Sequence, residues 1–344
     1  MHLSLTEEQR ELQATLRRAL SEQLPASRLR AAVAGEEDVW SLTAEQLGVH
    51  GLAVPEGAGG SGAGEVEQVL LLEEAGRALV PGGFFSTVAL AGTLLRCADD
   101  RTFLPALAAG SLRASFAWAA SDRVLTPAVD GTELVSGAAT GVLDVEPADV
   151  LLVIGSGGRL LAVDRDQPGV ALEPLTTLDL TRPATTVTFD QARATVVADG
   201  VGDALGRMRL GLAAEQVGGA ARCLELSVQH AIVREQFGRP IGSFQAVKHK
   251  LADMRVRVDL ATALCWYAAG HPDEPQWALA AGSACAETYL RVASDAIQVH
   301  GGIGFTWEHE LHLHYRRARA DHVMLGSPRT LRAELAALLQ GSAA

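Results

Sequence analysis

The hydrophobic period of this 344-residue chain changes twice, and that double switch restricts the folds open to it more than any single motif. From Thr6 to about Leu112 the spacing is helical. Leu5, Gln9, Leu12, Leu16 and Leu20 fall near one face, and Thr6 is placed to cap the helix three residues before Gln9. From about Ser115 to Ala198 the period drops to two and β-branched residues rise. The run Val150-Leu151-Leu152-Val153-Ile154, a Gly-Ser-Gly-Gly turn and residues 159–163 predict a hairpin, and Thr185-Thr186-Val187-Thr188-Phe189 predicts a further strand. From Asp203 to about Leu339 helical spacing returns: Leu205, Met208, Leu212, Ala220, Leu224, Val228 and Ala231 share one stripe and predict one long helix. Its expected end is Phe237-Gly238-Arg239-Pro240, where glycine stops a helix and proline prevents its restart, with Ser243 capping the next one.

Composition narrows the ligand classes. The chain carries 29 Lys and Arg against 41 Asp and Glu, a net charge of −12, and so repels a phosphate backbone that binding proteins neutralise with clustered cations. Nucleic acid is disfavoured as a partner. Apolar residues make up 48% and aromatics only 5%, which suits long helices packed through small and branched aliphatic side chains. Cys97, Cys223, Cys265 and Cys285 lie far apart with no C-x-x-C pair, so neither a zinc site nor a secreted disulfide framework is expected and a reducing cytoplasm fits. No stretch approaches the roughly 18 consecutive apolar residues of a spanning helix, and the charged N-terminus lacks the apolar run of a signal peptide. The expectation is a cytoplasmic protein without membrane attachment.

Four local patterns bear on chemistry. Gly57, Gly59 and Gly62 form G-x-G-x-x-G, but no preceding parallel strand or closing acidic residue completes a dinucleotide-binding unit, so a plain turn between helices is expected. Arg234-Glu235-Gln236-Phe237-Gly238-Arg239-Pro240-Ile241-Gly242-Ser243-Phe244-Gln245 puts a guanidinium at the end of one helix and an amide at the start of the next. Both groups can reach a pyrophosphate, because guanidinium forks match phosphate oxygens and helix N-termini offer free N–H groups. Gln298-Val299-His300-Gly301-Gly302-Ile303-Gly304-Phe305 holds paired glycines that let backbone approach a ligand closely. The run His309-Glu310-Leu311-His312-Leu313-His314 lacks the H-E-x-x-H spacing; no metal site is expected, and the histidines are read as polar faces of a helix.

Taken in order, these segments resemble the acyl-CoA dehydrogenase family. Residues 3–12 look like its opening helix, and Leu47-Gly48 with Gly51-Leu52-Ala53-Val54-Pro55-Glu56 like its loop after the second helix. More specific are R-x-x-F-G-x-x-I-x-x-F-Q from Arg234 to Gln245 and Q-x-x-G-G-x-G-F from Gln298 to Phe305. The resemblance implies a mainly α fold with a β middle domain: an N-terminal helical domain at 1–113, a small β-barrel-like domain at 114–200 and a C-terminal four-helix bundle at 201–344. It also implies that an α-proton is taken from an acyl-CoA thioester by a carboxylate while the β-hydride passes to FAD, with an electron-transfer flavoprotein as acceptor. By the same resemblance Arg234, Phe237, Gln245, Gln298, Val299, His300, Gly301 and Gly302 touch the FAD of a neighbouring subunit.

Against that pattern the chain lacks its base. Counting on from Gln298, Arg316-Arg317-Ala318-Arg319 stands at the family's R-D-A-K, and Leu325-Gly326-Ser327 at its E-G-T. Leu325 has no group to accept a proton. The alternative base position of a minority of relatives, near the start of the long helix, falls on Met208, which has none either. Glu215, two turns on, is read as a solvated or capping residue rather than a substitute base. The family's own-flavin segments T-E-P-x-x-G-S-D and aromatic-Ile/Val-Thr-Asn are replaced by Phe116-Ala117-Trp118-Ala119-Ala120-Ser121-Asp122 and Gly141-Val142-Leu143-Asp144-Val145. This combination resembles the degenerate, base-lacking subunits of actinobacterial heteromeric acyl-CoA dehydrogenases, several of which act on steroid side-chain CoA thioesters. The resemblance implies an α2β2 assembly with a homologous base-containing subunit. Two other readings stay open: a non-catalytic structural or regulatory partner of such an enzyme, and a flavin-independent acyl-CoA lyase or dehydratase on the same fold.

Overall fold

The computed structural model describes residues 5–117, 126–128 and 133–341. Five helices come first: α1 (Glu7–Gln23), α2 (Ala26–Val33), α3 (Glu65–Ala78), α4 (Gly92–Cys97) and α5 (Leu104–Ala108), with π-helical turns at Leu42–Gln46 and Phe85–Ala91. Seven strands follow: β1 (Ala114–Ala117), β2 (Thr126–Ala128), β3 (Glu133–Leu143), β4 (Val150–Ile154), β5 (Leu160–Asp164), β6 (Val170–Pro174) and β7 (Ala184–Ala198). The rest is helical apart from one small hairpin: α6 (Ala204–Val233), β8 (Glu235–Gln236), β9 (Arg239–Pro240), α7 (Gln245–Ala269), α8 (Pro275–His300), α9 (Leu311–Asp321) and α10 (Pro328–Gly341). The fold is mainly α with a β middle domain, as the change of period requires. Its residues gather into two compact units, Met1–Leu29 with Glu65–Val80 and Leu205–Ala344, and Arg30–Gly64 with Pro81–Ala204.

In the helical unit α1 starts with a full capping box. Gln9 N–H donates to the Thr6 hydroxyl, the Gln9 side-chain oxygen accepts from Thr6 N–H, and Leu16 and Leu20 turn inward. The crossing of α3 and α6 depends on glycine. A Cβ at Gly218 would sit 1.8 Å from the Glu73 carbonyl oxygen and one at Gly76 2.1 Å from that of Glu215, so the two backbones touch. Gly219 likewise leaves room for the Tyr289 ring, which would meet its Cβ at 2.4 Å. Further along, α7 and α10 pack on α8, and the bundle core is built from Ala220, Cys223, Met254, Val258, Tyr289, Val292, Ala293 and Ala296. Small side chains at these positions let the helices approach closely, which is how a chain so poor in aromatics fills its interior.

Two expected boundaries move. The long helix ends at Val233, four residues before the Phe237-Gly238 pair, because the chain leaves α6 into the β8–β9 hairpin and Phe237-Gly238 forms its turn. Ser243 does not cap α7: its hydroxyl donates to the Pro240 carbonyl at 2.7 Å, and Phe244 is the capping residue without a side-chain bond.

The β unit is a single sheet in the order β1-β4-β5-β7-β3-β2, with β6 also paired to β7. Among the described residues only β1–β4 is parallel; β4–β5 is the expected hairpin, in register Val150↔Asp164 to Ile154↔Leu160. Strand β7 contains Thr185 to Phe189 and continues to Ala198, long enough to pair with β3, β5 and β6. Irregularities in the β3–β7 register bend the sheet around a core of Val135, Val142, Leu151, Val153, Leu161, Val163, Val187 and Phe189.

The Gly57–Gly59–Gly62 segment is a turn that spends most of its amides on its own backbone. Gly60 N–H bonds to Pro55 O, Ser61 to Gly51 O, Gly62 to Val54 O and Ala63 to Leu52 O. Trp118 to Asp122, where a flavin-holding segment was sought, lie outside the described residues.

Candidate functional site

The first motif is shaped by the hairpin that interrupts α6 and α7. Arg234 N–H closes on the His230 carbonyl at 2.8 Å, ending the helix, and the Arg234 carbonyl accepts from Ile241 N–H at 2.8 Å. Between them Glu235 pairs with Pro240 and Gln236 with Arg239, around a two-residue turn with Phe237 at φ 55° and Gly238 at φ 76°. Two successive left-handed residues match the twist of a tight hairpin, and for Phe237 that backbone is unusual. The Phe237 side chain is 92% exposed, with one edge on Phe244 at 6.1 Å; Arg239 lies over the Phe244 ring at 4.1 Å. Arg234 and Gln245 are exposed, and among the described residues the Arg234 guanidinium has no ion-pair partner.

The second motif closes α8. Gln298 is exposed, Val299 half-buried and His300 buried, after which Gly301 caps the helix at φ 65°, its N–H on the Ile297 carbonyl. Nothing lies within 4 Å of a Cβ built on Gly301 or Gly302, so this backbone is open to a ligand.

A stack of imidazoles joins the two motifs. His230, one turn before Arg234, lies face to face with His300 at 4.3 Å, and His309 forms a T-shaped pair with His300 at 4.6 Å. His300 Nδ1–H donates to the Ala296 carbonyl at 2.8 Å. Its side chain is therefore spent on packing, and only its backbone faces outward with the glycines. Burial pushes His230, His300 and His309 below the ordinary imidazole range; neighbouring charge adds to this, from His300 and Arg234 at His230 and from Arg222 at His309, where Glu310 opposes it.

The exposed strip thus presents the Arg234 guanidinium, the Gln245 and Gln298 amides, an aromatic face and an open glycine backbone. Such a set suits a ligand with phosphates and flat rings, and FAD fits it. It contains no group poised to take a proton, because the nearby imidazoles are committed to one another. Binding is what this face can do.

The base positions lie at the other end of the unit. Met208 is buried on α6, and its neighbour Arg209 donates from Nε to the Leu325 carbonyl at 2.9 Å while gripping Glu334 at 2.7 and 3.0 Å. Leu325 is buried at φ 55°, followed by Gly326 at φ 116°. The backbone makes a sharp turn there, but the side chain it carries is aliphatic.

Glu215 corrects the sequence reading. It is neither solvated nor capping: it is 2% exposed and ion-paired at 2.8 Å with Arg317, itself fully buried. Arg317 stands where the family motif has Asp, so a buried guanidinium here requires a buried carboxylate opposite. A second correction concerns the histidine run. His312 and His314 do not form a polar face; both are buried, His312 edge-on to Trp307 at 4.6 Å and His314 Nδ1 on the Tyr289 hydroxyl at 2.9 Å. With His309 on His300, the three imidazoles diverge onto three partners.

Sequence reasoning missed the buried charges of α3. Glu73 accepts from Gln13 Nε2 at 3.1 Å and Trp266 Nε1 at 2.9 Å, and burial raises its pKa to about 7 against the pull of the Trp266 bond. Glu74 holds Arg17 through both carboxylate oxygens at 2.7 and 3.0 Å. Arg17, Arg77, Arg222, Glu74, Glu225 and Glu310 line a cavity of about 210 Å³ with every one of these charges paired. In the β unit the Gly141-to-Val145 segment turns its polar group inward. Asp144, at φ 50°, is buried and accepts from the Ser86 hydroxyl at 2.9 Å, while Gly141 offers no side chain.

Comparison with known proteins agrees with this layout. The N-terminal domain profile of acyl-CoA dehydrogenases matches residues 6–111 and the C-terminal domain profile residues 198–339. The chain is 34% identical to acyl-CoA dehydrogenase IpdE2 of Mycobacterium tuberculosis over 94% of each protein. Among solved structures, the Tcur3481-Tcur3483 steroid ACAD G363A variant superposes with a TM-score of 0.89 at 30% identity, over 98% of this chain and 99% of that one. The ChsE4-ChsE5 complex from Mycobacterium tuberculosis shares the fold, with a TM-score of 0.89 at 24% identity over 99% of each chain. Helical N- and C-terminal regions around a β middle domain, with two family profiles in order along it, make this chain a member of the acyl-CoA dehydrogenase family.

Proposed function

We propose that this chain is the base-lacking subunit of a heteromeric, FAD-dependent acyl-CoA dehydrogenase of the cytoplasm. The zoning proposed with it is 1–113, 114–200 and 201–344. The observation that carries the reading is an asymmetry: the face formed by Arg234, Phe237, Gln245, Gln298, Gly301 and Gly302 is open, whereas Met208 and Leu325 are buried and apolar. Bound FAD supplies the hydride acceptor. This chain's share is to hold the dinucleotide from outside, the Arg234 guanidinium on a phosphate and the Gly301 and Gly302 backbone within contact distance. A homologous subunit brings the carboxylate that removes the α-proton and most of the flavin pocket, in an α2β2 assembly, with an electron-transfer flavoprotein taking the electrons. The steroid ACAD named among the structural relatives points to a bulky, steroid-derived acyl-CoA as substrate.

Co-expression with a homologous, base-containing acyl-CoA dehydrogenase subunit tests this through native mass and flavin content. One FAD per heteropair, lost on Arg234→Ala with the assembly intact, is the expected outcome. Stoichiometric FAD and acyl-CoA oxidation by this chain alone would overturn it. Flavin retained in full by the Arg234→Ala complex would instead favour a purely structural partner.

A further inference from the structure

His230, His300 and His309 are the contact between the two ligand-facing motifs, yet none of the three has a role in holding a cofactor through its side chain. His300 contacts both other rings, stacked on His230 and in a T-shaped pair with His309, at 4.3 and 4.6 Å between ring centres. His230 and Arg234 are linked through one helical turn, and His300 leads directly into Gly301. Any movement between the His230 and His300 rings therefore changes the distance between the Arg234 hairpin and the open glycines. We propose that this three-imidazole clasp positions the hairpin against the glycine loop only while uncharged, so that protonation loosens both motifs and the chain's grip on a flavin shared with its partner subunit.

The charges around the clasp leave little to compensate a proton. From α6 come two cations, Arg234 acting on His230 and Arg222 acting on His309. From the segment leading into α9 come His309 and Glu310, and Glu310 is already bound by Arg222 at 2.7 Å. From α8 comes His300, whose Nδ1–H is committed to the Ala296 carbonyl. His309 Nδ1 accepts from Leu311 N–H at 3.2 Å, so its remaining nitrogen carries the proton in the neutral ring. An imidazolium formed here faces two guanidiniums and two other imidazoles against one carboxylate already in use. Burial, with these cations, pushes all three rings below the ordinary imidazole range and so favours their neutral forms at pH 7; acidification reverses that balance.

The functional half of this inference rests on the proposed flavin-sharing role; the clasp itself does not. Two readouts separate them. In the isolated chain, amide hydrogen exchange across residues 234–245 and 298–305, corrected for the intrinsic pH dependence, is expected to lose about tenfold in protection between pH 7.5 and pH 5.5. His300→Phe keeps a flat ring in the stack without a titrating nitrogen, and its protection should change less than about twofold over the same range. His230→Phe serves as the second variant and should flatten the same profile. In the heteromeric complex, FAD release followed by flavin fluorescence should show the same pH step in the wild type and lose it in either variant. Protection that stays flat in the wild type, or a step that persists in both variants, overturns the clasp. A pH step in exchange with no flavin in the complex at any pH leaves the clasp standing and overturns the flavin-sharing role instead.

Discussion

The two ends of α6 face opposite fates. Met208 and His230 are separated by about 33 Å along the axis at 1.5 Å per residue. At the Met208 end the chain is closed: Met208 and Leu325 are buried, and the nearest carboxylate further along the helix, Glu215, is locked to Arg317. At the His230 end it is open, with a hairpin tip at 92% exposure and bare glycine backbone. A subunit that served its own flavin would need a proton acceptor at the closed end. The proposed role, serving the flavin of a neighbour, needs only the open one.

The sharpest way to break the comparison is at the closed end. Arg317→Ala strands Glu215 as a buried carboxylate without its ion partner, and a loss of about 3–5 kcal/mol is expected in urea unfolding. Replacing both partners together, Glu215→Leu with Arg317→Met, should recover most of that loss, because no unpaired buried charge is then left behind. Recovery of stability with a loss of activity in the complex would show instead that Glu215 is a functional base.

Midway along α6, where Gly218 meets the backbone of Glu73, the expected effect depends on pH. The folded chain keeps Glu73 protonated up to about pH 7, while the unfolded carboxyl ionises near 4.5. Its stabilising contribution is therefore complete below pH 4.5 and declines as the pH rises to about 7, by on the order of 3 kcal/mol. Glu73→Gln, a permanent neutral stand-in, should raise the melting temperature at pH 8 and remove this part of the decline; an unchanged pH profile would contradict the buried-acid assignment.

At the open end, substitutions should leave the fold alone. Arg234→Ala is expected to change stability by less than about 0.5 kcal/mol yet weaken flavin retention in the heteromeric complex by about 1.5–3 kcal/mol, read by equilibrium dialysis. Phe237→Ala should have the smallest effect, about 1 kcal/mol on flavin retention and none measurable on unfolding, since the ring is almost wholly solvent-exposed. A large loss of stability from either change would mean that this face is closed in the free chain.

Much of the fold was legible because periodicity and capping are local. Thr6 with Gln9, the Val150 to Ile154 strand and the single long α6 stripe all express short-range rules that burial then reinforced. The helix end at Val233 was misjudged because glycine after phenylalanine reads as a helix stop or as a hairpin turn, and only the Ile241 to Arg234 bond selects the hairpin. Glu215 carried a usable signal that went unread: an Arg at the Asp position of the family motif needs a counter-charge, and Glu215 provides it. Nothing local marked Glu73 or His314 as buried, because Trp266 and Tyr289, which cover them, are distant in sequence.

The sequence alone determined the order of helical and β regions, the acidic and aromatic-poor character, and the absence of a carboxylate at Leu325 and Met208, since all of these reside in residue type and spacing. Tertiary structure decided which of these residues meet. It placed His230 on His300 so that two motifs some sixty residues apart share one face, and it buried Glu215 on Arg317 where spacing read as solvent. The physical reason is that contact and burial depend on how helices cross, and those crossings are set by packing at Gly76, Gly218 and Gly219, which no local pattern reveals.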